Sequence, residues 1–296
     1  MNENKIKFDK IGIIPNLHKP KSLEIAFQLI SWLETKGVTV LLNEITANEV
    51  QRPDLATRPS DIYKSSDFII VLGGDGTLLS VARQVTWYET PILGVNVGHL
   101  GFLTELELEN IYEGIEKIYR GEYRVDKRMM LEAVAVKNNM ITESFSALND
   151  VVITKGSFSR IVQLKTFVNN RYIETYPADG LIISSPTGST AYSLSAGGPI
   201  LSPDVSGMVI TPISPHTLNS RSIVISDKEE VKVEIVGDQN DVMLTIDGQQ
   251  GYKLKTGDII IVRKAEFSAN MIRLTDRNFY DVLRTKLNER GCRKEE

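Results

Sequence analysis

Apolar and polar residues follow two different rhythms along the chain, and the change comes near Glu122. Before it, short apolar runs alternate with segments whose apolar residues recur every three or four positions. Lys10 to Pro15, Val38 to Leu42, Asp67 to Leu72 and Pro91 to Val97 predict four strands. Leu23, Ala26, Phe27, Ile30 and Leu33 recur at helical spacing, and Gly37 ends that helix. Thr77 to about Gln84 and Asn110 to Tyr119 predict two more helices. Residues 43–66 are polar and contain Pro53 and Pro59, which predicts a mobile loop, long enough to close as a lid. Short β-branched runs suit strands buried on both faces, so this half predicts a Rossmann-like α/β domain with a parallel sheet.

After Glu122 the runs are short and alternating. They are Leu131 to Val136, Ala147 to Thr154, Ile161 to Val168, Tyr172 to Tyr176, Leu181 to Ser184 and Met208 to Ile213. Ser222 to Ile225, Val231 to Val236, Val242 to Ile246 and Ile259 to Arg263 complete the series. Turn residues such as Asn169-Asn170, Gly237-Asp238 and Asp247-Gly248 separate them, which predicts an antiparallel sandwich. Phe279 to Leu287 returns to helical spacing and is expected to dock on the first domain. The expected division is therefore 1–125 with 275–296 returning, and 126–274 as the β-rich domain.

Composition narrows the classes. The chain has 296 residues, of which 42% are hydrophobic, enough for a substantial core. A net charge of −4 argues against a nucleic-acid partner. The one cysteine, Cys292, excludes an internal disulfide and suits a reducing, cytoplasmic setting. No apolar run reaches the length of a membrane span, and the first residues lack a signal peptide's apolar core. Three scattered histidines, His18, His99 and His216, make a histidine-based zinc site improbable.

Candidate chemistry gathers at a few places. Phe68 to Leu72 runs into Gly73-Gly74-Asp75-Gly76-Thr77, a glycine turn with one acid at the start of a helix. Glycines allow close backbone approach, and free helix N–H groups favour anions. A lone carboxylate there would repel a phosphate unless a metal or a substrate hydroxyl intervenes, which hints at phosphoryl transfer. The plainer reading is that Asp75 caps the helix. The turn is not a dinucleotide fingerprint, since a third glycine is missing, nor a Walker loop, since no Gly-Lys-Ser/Thr follows. Ser185 to Pro199 concentrates hydroxyls that could hold ribose and phosphate, or could simply cap and pack a short helix. Asn149-Asp150 reads as a site-lining pair, a bulge or a turn at a strand start. Asp179 reads most simply as a strand-entry turn and Arg160 as a solvated cation. Asp247-Gly248-Gln249 reads as a hairpin tip. His99 reads as a packed loop histidine, with nothing acidic beside it.

Taken together, Gly73 to Thr77, Asn96 to Leu103, Asn149-Asp150 and Asp179-Gly180 through Pro199 resemble the NAD kinase family. The glycine turn alone is shared with lipid kinases and phosphofructokinases; Gly98 to Leu103 joined to Thr187 to Pro199 is the specific part. The resemblance implies an α/β domain followed by a β-rich domain, with NAD bound in the cleft between them. It implies transfer of the ATP γ-phosphoryl, or a phosphoryl from polyphosphate, to the 2′-hydroxyl of the adenosine ribose. Asp75 would accept the proton, with Gly76 beside it on the substrate. Asn149 and Asp150 would hold the adenosine end, with Phe102 against the adenine. Asp179 would meet the nicotinamide amide. Thr190, Ala191, Tyr192, Ser193, Leu194 and Ser195 would line the dinucleotide. Arg160, Pro177 and Gln249 would add contacts, some across a subunit interface. A divalent metal, magnesium by expectation and of unassigned ligands, and a homodimer or homotetramer are also implied.

The chain departs from the family pattern twice. Many members carry glutamate at Asp150, so the side chain here is a methylene shorter and its contact is expected to be longer or bridged by water. Many carry arginine at Pro177, where proline offers neither charge nor N–H. Two other readings stay open at this point: a non-catalytic NAD(P)-binding sensor, and a lipid kinase sharing the turn.

Overall fold

The structure is a computed structural model, and it describes residues 9–98, 101–156, 161–238 and 241–291. The chain divides into two compact units, residues 1–127 with 269–296 and residues 128–268.

In unit 1 the order is β1 (Lys10–Pro15), α1 (Pro20–Thr35), β2 (Thr39–Leu41), α2 (Glu44–Glu49), α3 (Pro59–Ser65), β3 (Phe68–Gly73), α4 (Asp75–Val85) and β4 (Ile92–Asn96). Two-residue β5 (Leu106–Glu107) and α5 (Ile111–Arg120) follow. Strands β2, β1, β3 and β4 lie in that order, all parallel, and β5 adds to β4. Every residue of β3 and β4 is buried, as unbroken apolar runs require in a sheet covered on both faces. Helix α1 starts with Pro20 in its first turn and buries Ala26, Leu29, Ile30 and Leu33, whereas Phe27 is 52% exposed and leaves the stripe. The expected loop at residues 43–66 is instead largely helical. Asn43 caps α2 by accepting the Thr46 N–H at 2.8 Å, and Pro53 and Pro59 sit in the first turn of a 3-10 helix and of α3. Proline at a helix start is favourable, so these prolines mark beginnings rather than a lid.

Unit 2 begins within the long strand β6 (Arg124–Lys137), which turns back as β7 (Met140–Ala147). Then come β8 (Asp150–Lys155), β9 (Val162–Val168), β10 (Arg171–Ala178) and β11 (Gly180–Ser184). A 3-10 turn at Thr187–Thr190 and the single-turn α6 (Tyr192–Ser195) precede β12 (Gly207–Ile213), β13 (Ile223–Ser226), β14 (Val231–Val236), β15 (Val242–Ile246) and β16 (Gln250–Leu254). The long β17 (Ile259–Arg273) carries the chain back to unit 1, where Met271 pairs with Ile92, and α7 (Phe279–Gly291) belongs to that unit. One sheet of unit 2 has the antiparallel order β13-β12-β11-β8-β15-β16. Strands β10, β9, β14 and the start of β17 form a second antiparallel array. Val151, Ile153, Leu181 and Leu244 of the first sheet share one core with Leu164, Tyr176, Val233 and Ile260 of the second. Alternating burial along β9, β14 and β15 is what such a sandwich requires.

Candidate active site

In unit 1 the chain passes from β1 to β2 on one side and later to β3 on the other. The crevice at the strand ends where connections diverge is the usual ligand position of a parallel sheet. The glycine turn leaves β3 there. Asn16, just past β1, donates its Nδ2–H to Thr77 Oγ1 at 3.1 Å, and Lys19 Nζ donates to the Val97 carbonyl at 3.1 Å. Helix α4 begins at Asp75 itself, and the Asp75 carboxylate does not serve as its cap. Oδ2 accepts the Phe102 N–H at 2.8 Å and Oδ1 the Leu103 N–H at 3.1 Å. Two donors from one loop fix the plane of the carboxylate while leaving it half-buried, with Gly76 exposed beside it. A Cβ at Gly101 would overlap that carboxylate, so the close approach needs glycine. His99 lies outside the described residues.

In unit 2, Leu148 and Asn149 form the corner between β7 and β8, and Asp150 opens β8. The corner is held from below. Asp247 Oδ1 accepts the N–H groups of Asn149 at 2.8 Å and Asp150 at 3.1 Å, and Oδ2 accepts that of Leu148 at 3.1 Å. Asp247 was legible only as a turn residue, and with φ of 50° followed by Gly248 at 66° it is one. Its side chain nevertheless turns inward and is 8% exposed, leaving Gln249 outside at the tip. Asp150 is 4% exposed, and burial first, then the Asp247 charge, pushes its carboxyl up to about 7.

In the hydroxyl-rich segment the packing reading holds for three of the serines. Ser185 Oγ donates to the Leu148 carbonyl and accepts the Gly188 N–H; Ser189 Oγ donates to Pro186; Ser193 Oγ pairs with Thr211 Oγ1 at 2.9 Å. All three serines are fully buried and serve the fold, and Ser185 braces this segment against the Leu148-Asn149 corner. Thr190 is nearly buried and bonds to Thr187, Ala191 and Leu194 are half-buried, and Tyr192 and Ser195 are exposed. A Cβ at Gly188 would strike the Asn149 backbone, which is how closely the two segments approach. Asp179 is paired with Lys155 Nζ at 2.7 Å. Pro177 lies in β10 opposite Gln163, and its carbonyl accepts the His216 N–H at 2.8 Å. Arg160 falls outside the described residues. Within unit 1 Asp75 and Phe102 are thus brought together, and within unit 2 Asn149 meets the Ser185–Thr190 turn while Asp150 pairs with Ser184 in the ladder.

A parallel α/β unit whose glycine turn presents one acid, continued by an antiparallel sandwich, defines a two-domain small-molecule kinase. The ATP-NAD kinase N-terminal domain matches residues 11–123, and the ATP-NAD kinase C-terminal domain matches residues 148–274. The NAD kinase of Thermoanaerobacter sp. (strain X514) is 52% identical over 281 residues, covering 95% of this chain and 99% of the relative. The NAD kinase of Moorella thermoacetica is 46% identical over 97% of this chain and 92% of its own length. The chain belongs to the NAD kinase family. The fold is shared with yeast NADH kinase complexed with NADH, at a TM-score of 0.87 and 24% identity over 98% of this chain and 89% of that one. An Archaeoglobus fulgidus NAD kinase in complex with ATP shares it at a TM-score of 0.72 and 21% identity, over 94% and 98%.

Proposed function

We propose that the chain transfers the γ-phosphoryl group of ATP to the 2′-hydroxyl of the adenosine ribose of NAD, giving NADP, with Asp75 as proton acceptor. Family membership carries the reaction, ahead of a sensor or a lipid kinase. The observation that carries the residue is a half-buried carboxylate held by two N–H donors at the diverging strand ends. Phosphoryl transfer has a loose transition state, so positioning and charge stabilisation dominate. The 2′-oxygen attacks phosphorus in line while the bond to the β,γ-bridging oxygen breaks. The hydroxyl proton passes to Asp75, and ADP leaves.

For the substrate we assign Asn149 and Asp150 to the adenosine end, Phe102 to the adenine, Asp179 to the nicotinamide amide, and Gly76 to the reacting end. Thr190, Ala191, Tyr192, Leu194 and Ser195 line the dinucleotide, with Ser193 acting from behind. Arg160, Pro177 and Gln249 add outer contacts. Among the described residues no group of three or more His, Cys, Asp or Glu side chains could hold a metal ion. We assign the divalent cation, magnesium by chemistry, to the ATP phosphates as part of the substrate, and polyphosphate as an alternative donor. A homodimer or homotetramer in the cytoplasm completes the reading. Exposed Met140 and Ile141 on β7 and Tyr172 and Ile173 on β10 support assembly, and no helix of the described residues is long and apolar enough to cross a membrane.

NADP formation from NAD, ATP and magnesium, read with an NADP-specific dehydrogenase, tests the reaction. Asp75→Asn is expected to keep NAD affinity and lose ~10²–10⁴-fold in kcat. Tight NAD binding without product would favour the sensor.

A further inference from the structure

The loop that holds Asp75 is itself held, at its far end, by charges that touch no expected substrate position. Leu103 uses both of its backbone groups. Its N–H donates to Asp75 Oδ1 at 3.1 Å, and its carbonyl accepts from Arg273 Nη1 at 3.2 Å. The same Nη1 donates to Glu105 Oε2 at 3.1 Å, and Arg273 Nε reaches Asp126 Oδ2 at 3.4 Å. Glu105 Oε1 accepts the N–H groups of Leu274 at 2.8 Å and Thr275 at 2.9 Å, and the Thr275 hydroxyl at 2.8 Å. The Glu105 N–H donates to the Gly94 carbonyl of β4, so the whole assembly stands on the sheet. Arg273 and Glu105 side chains are 9% and 5% exposed. Arg273 closes β17 and Asp126 lies near the start of β6, the two strands by which the chain leaves and enters residues 128–268.

Stability alone is a poor account of these charges. A buried ion pair loses its hydration, and well-packed apolar residues of similar volume are often equally stable or better. What a planar guanidinium supplies and an apolar side chain does not is direction. Here Glu105 and Asp126 set the guanidinium, and its one backbone acceptor among the described residues is the carbonyl of Leu103, whose N–H orients Asp75.

We propose that Arg273 is a positioning residue for phosphoryl transfer. By holding the Leu103 carbonyl it fixes the N–H groups of Phe102 and Leu103, and through them the aim of the Asp75 carboxylate at the reacting hydroxyl. Glu105 sets the guanidinium in place. The inference rests on the reading of Asp75 as proton acceptor. A displacement near 1 Å at a reacting group costs about 10²-fold, which sets the scale of the effect.

The experiment compares Arg273→Met, Arg273→Lys and Glu105→Gln in the full chain, with Arg120→Met, which breaks an exposed pair with Glu122, as control. Each is assayed with NAD, ATP and magnesium below its unfolding midpoint by circular dichroism. Arg273→Met is expected to lower kcat by ~10²-fold while the KM and calorimetric Kd for NAD move less than ~3-fold. The solvent deuterium isotope effect on kcat rises, because proton transfer becomes limiting. Arg273→Lys, with the charge but not the fork, recovers part of kcat. If Arg273→Met does not fold, Arg273→Lys and Glu105→Gln carry the same comparison. Unchanged kcat in the folded variants, or losses that follow the unfolding midpoint with NAD affinity falling in step, overturns the proposal. Asp75→Asn separates it from the reading beneath. An inactive Asp75→Asn with active Arg273 variants overturns the positioning role alone, whereas an active Asp75→Asn overturns both.

Discussion

The two units solve the same problem, placing a polar group at a site, in opposite ways. In unit 1 the group of interest is the carboxylate of Asp75, and backbone N–H groups of Phe102 and Leu103 hold it. In unit 2 the groups of interest lie on the corner Leu148-Asn149-Asp150, and the buried carboxylate of Asp247 holds their backbone. A carboxylate has four lone-pair positions, so it can serve as the held group or as the holder. The difference lies in exposure. Asp75 is half-open, as its proposed role as a base requires. Asp247 is sealed, and its charge adds to the burial that lifts the neighbouring Asp150 carboxyl.

Breaking each arrangement should therefore have a different signature. Gly101→Ala puts a methyl group where the Asp75 carboxylate lies. Asp75 must turn away, and kcat is expected to fall on the order of 10²-fold with NAD affinity nearly intact, read by steady-state kinetics. In unit 2 the signature shifts from rate to stability and binding. Asp247→Ala leaves three N–H donors without their acceptor, two of them buried. Urea unfolding should show a loss of about 3 kcal/mol, and calorimetry a weaker NAD affinity. Equal effects of both variants on kcat alone would erase the distinction between the units.

The smallest effect is a pH dependence. The folded state holds the Asp150 proton to about 7, against an ordinary value of 3.8. Between those values the folded state binds more protons than the unfolded chain. The stability from this group is therefore complete below pH 3.8 and declines as pH rises to about 7. Asp150→Asn should flatten the urea midpoint across that window relative to the parent chain. An unchanged slope would mean that burial, with the Asp247 charge beside it, does not hold the Asp150 proton as its position requires.

Motifs made of adjacent residues were readable. The glycine turn, the Asn149-Asp150 corner and the hairpin at Asp247-Gly248 all announce themselves in local chemistry. Misreadings came where local chemistry serves two ends. Pro53 and Pro59 signal either a loop or a helix start, and helices of a single turn or two are too short to show a period. Asn43, one residue before α2, was the available signal for a cap. Ser185, Ser189 and Ser193 allow either a ligand-holding surface or a packed one, since composition does not say which way a hydroxyl points, and they face inward.

By itself, then, the sequence determined the two rhythms, and hence a parallel α/β unit and an antiparallel sandwich, because burial periodicity is a local property of the chain. It also determined the acid-bearing turn, because glycine and aspartate act within a few residues. Only the tertiary structure decided what Asp75 and Asp247 hold or are held by. Phe102 and Leu103 lie 27 and 28 residues beyond Asp75, and Leu148 lies 99 residues before Asp247. Hydrogen bonds across such separations depend on where strands are laid side by side, and no local pattern records that.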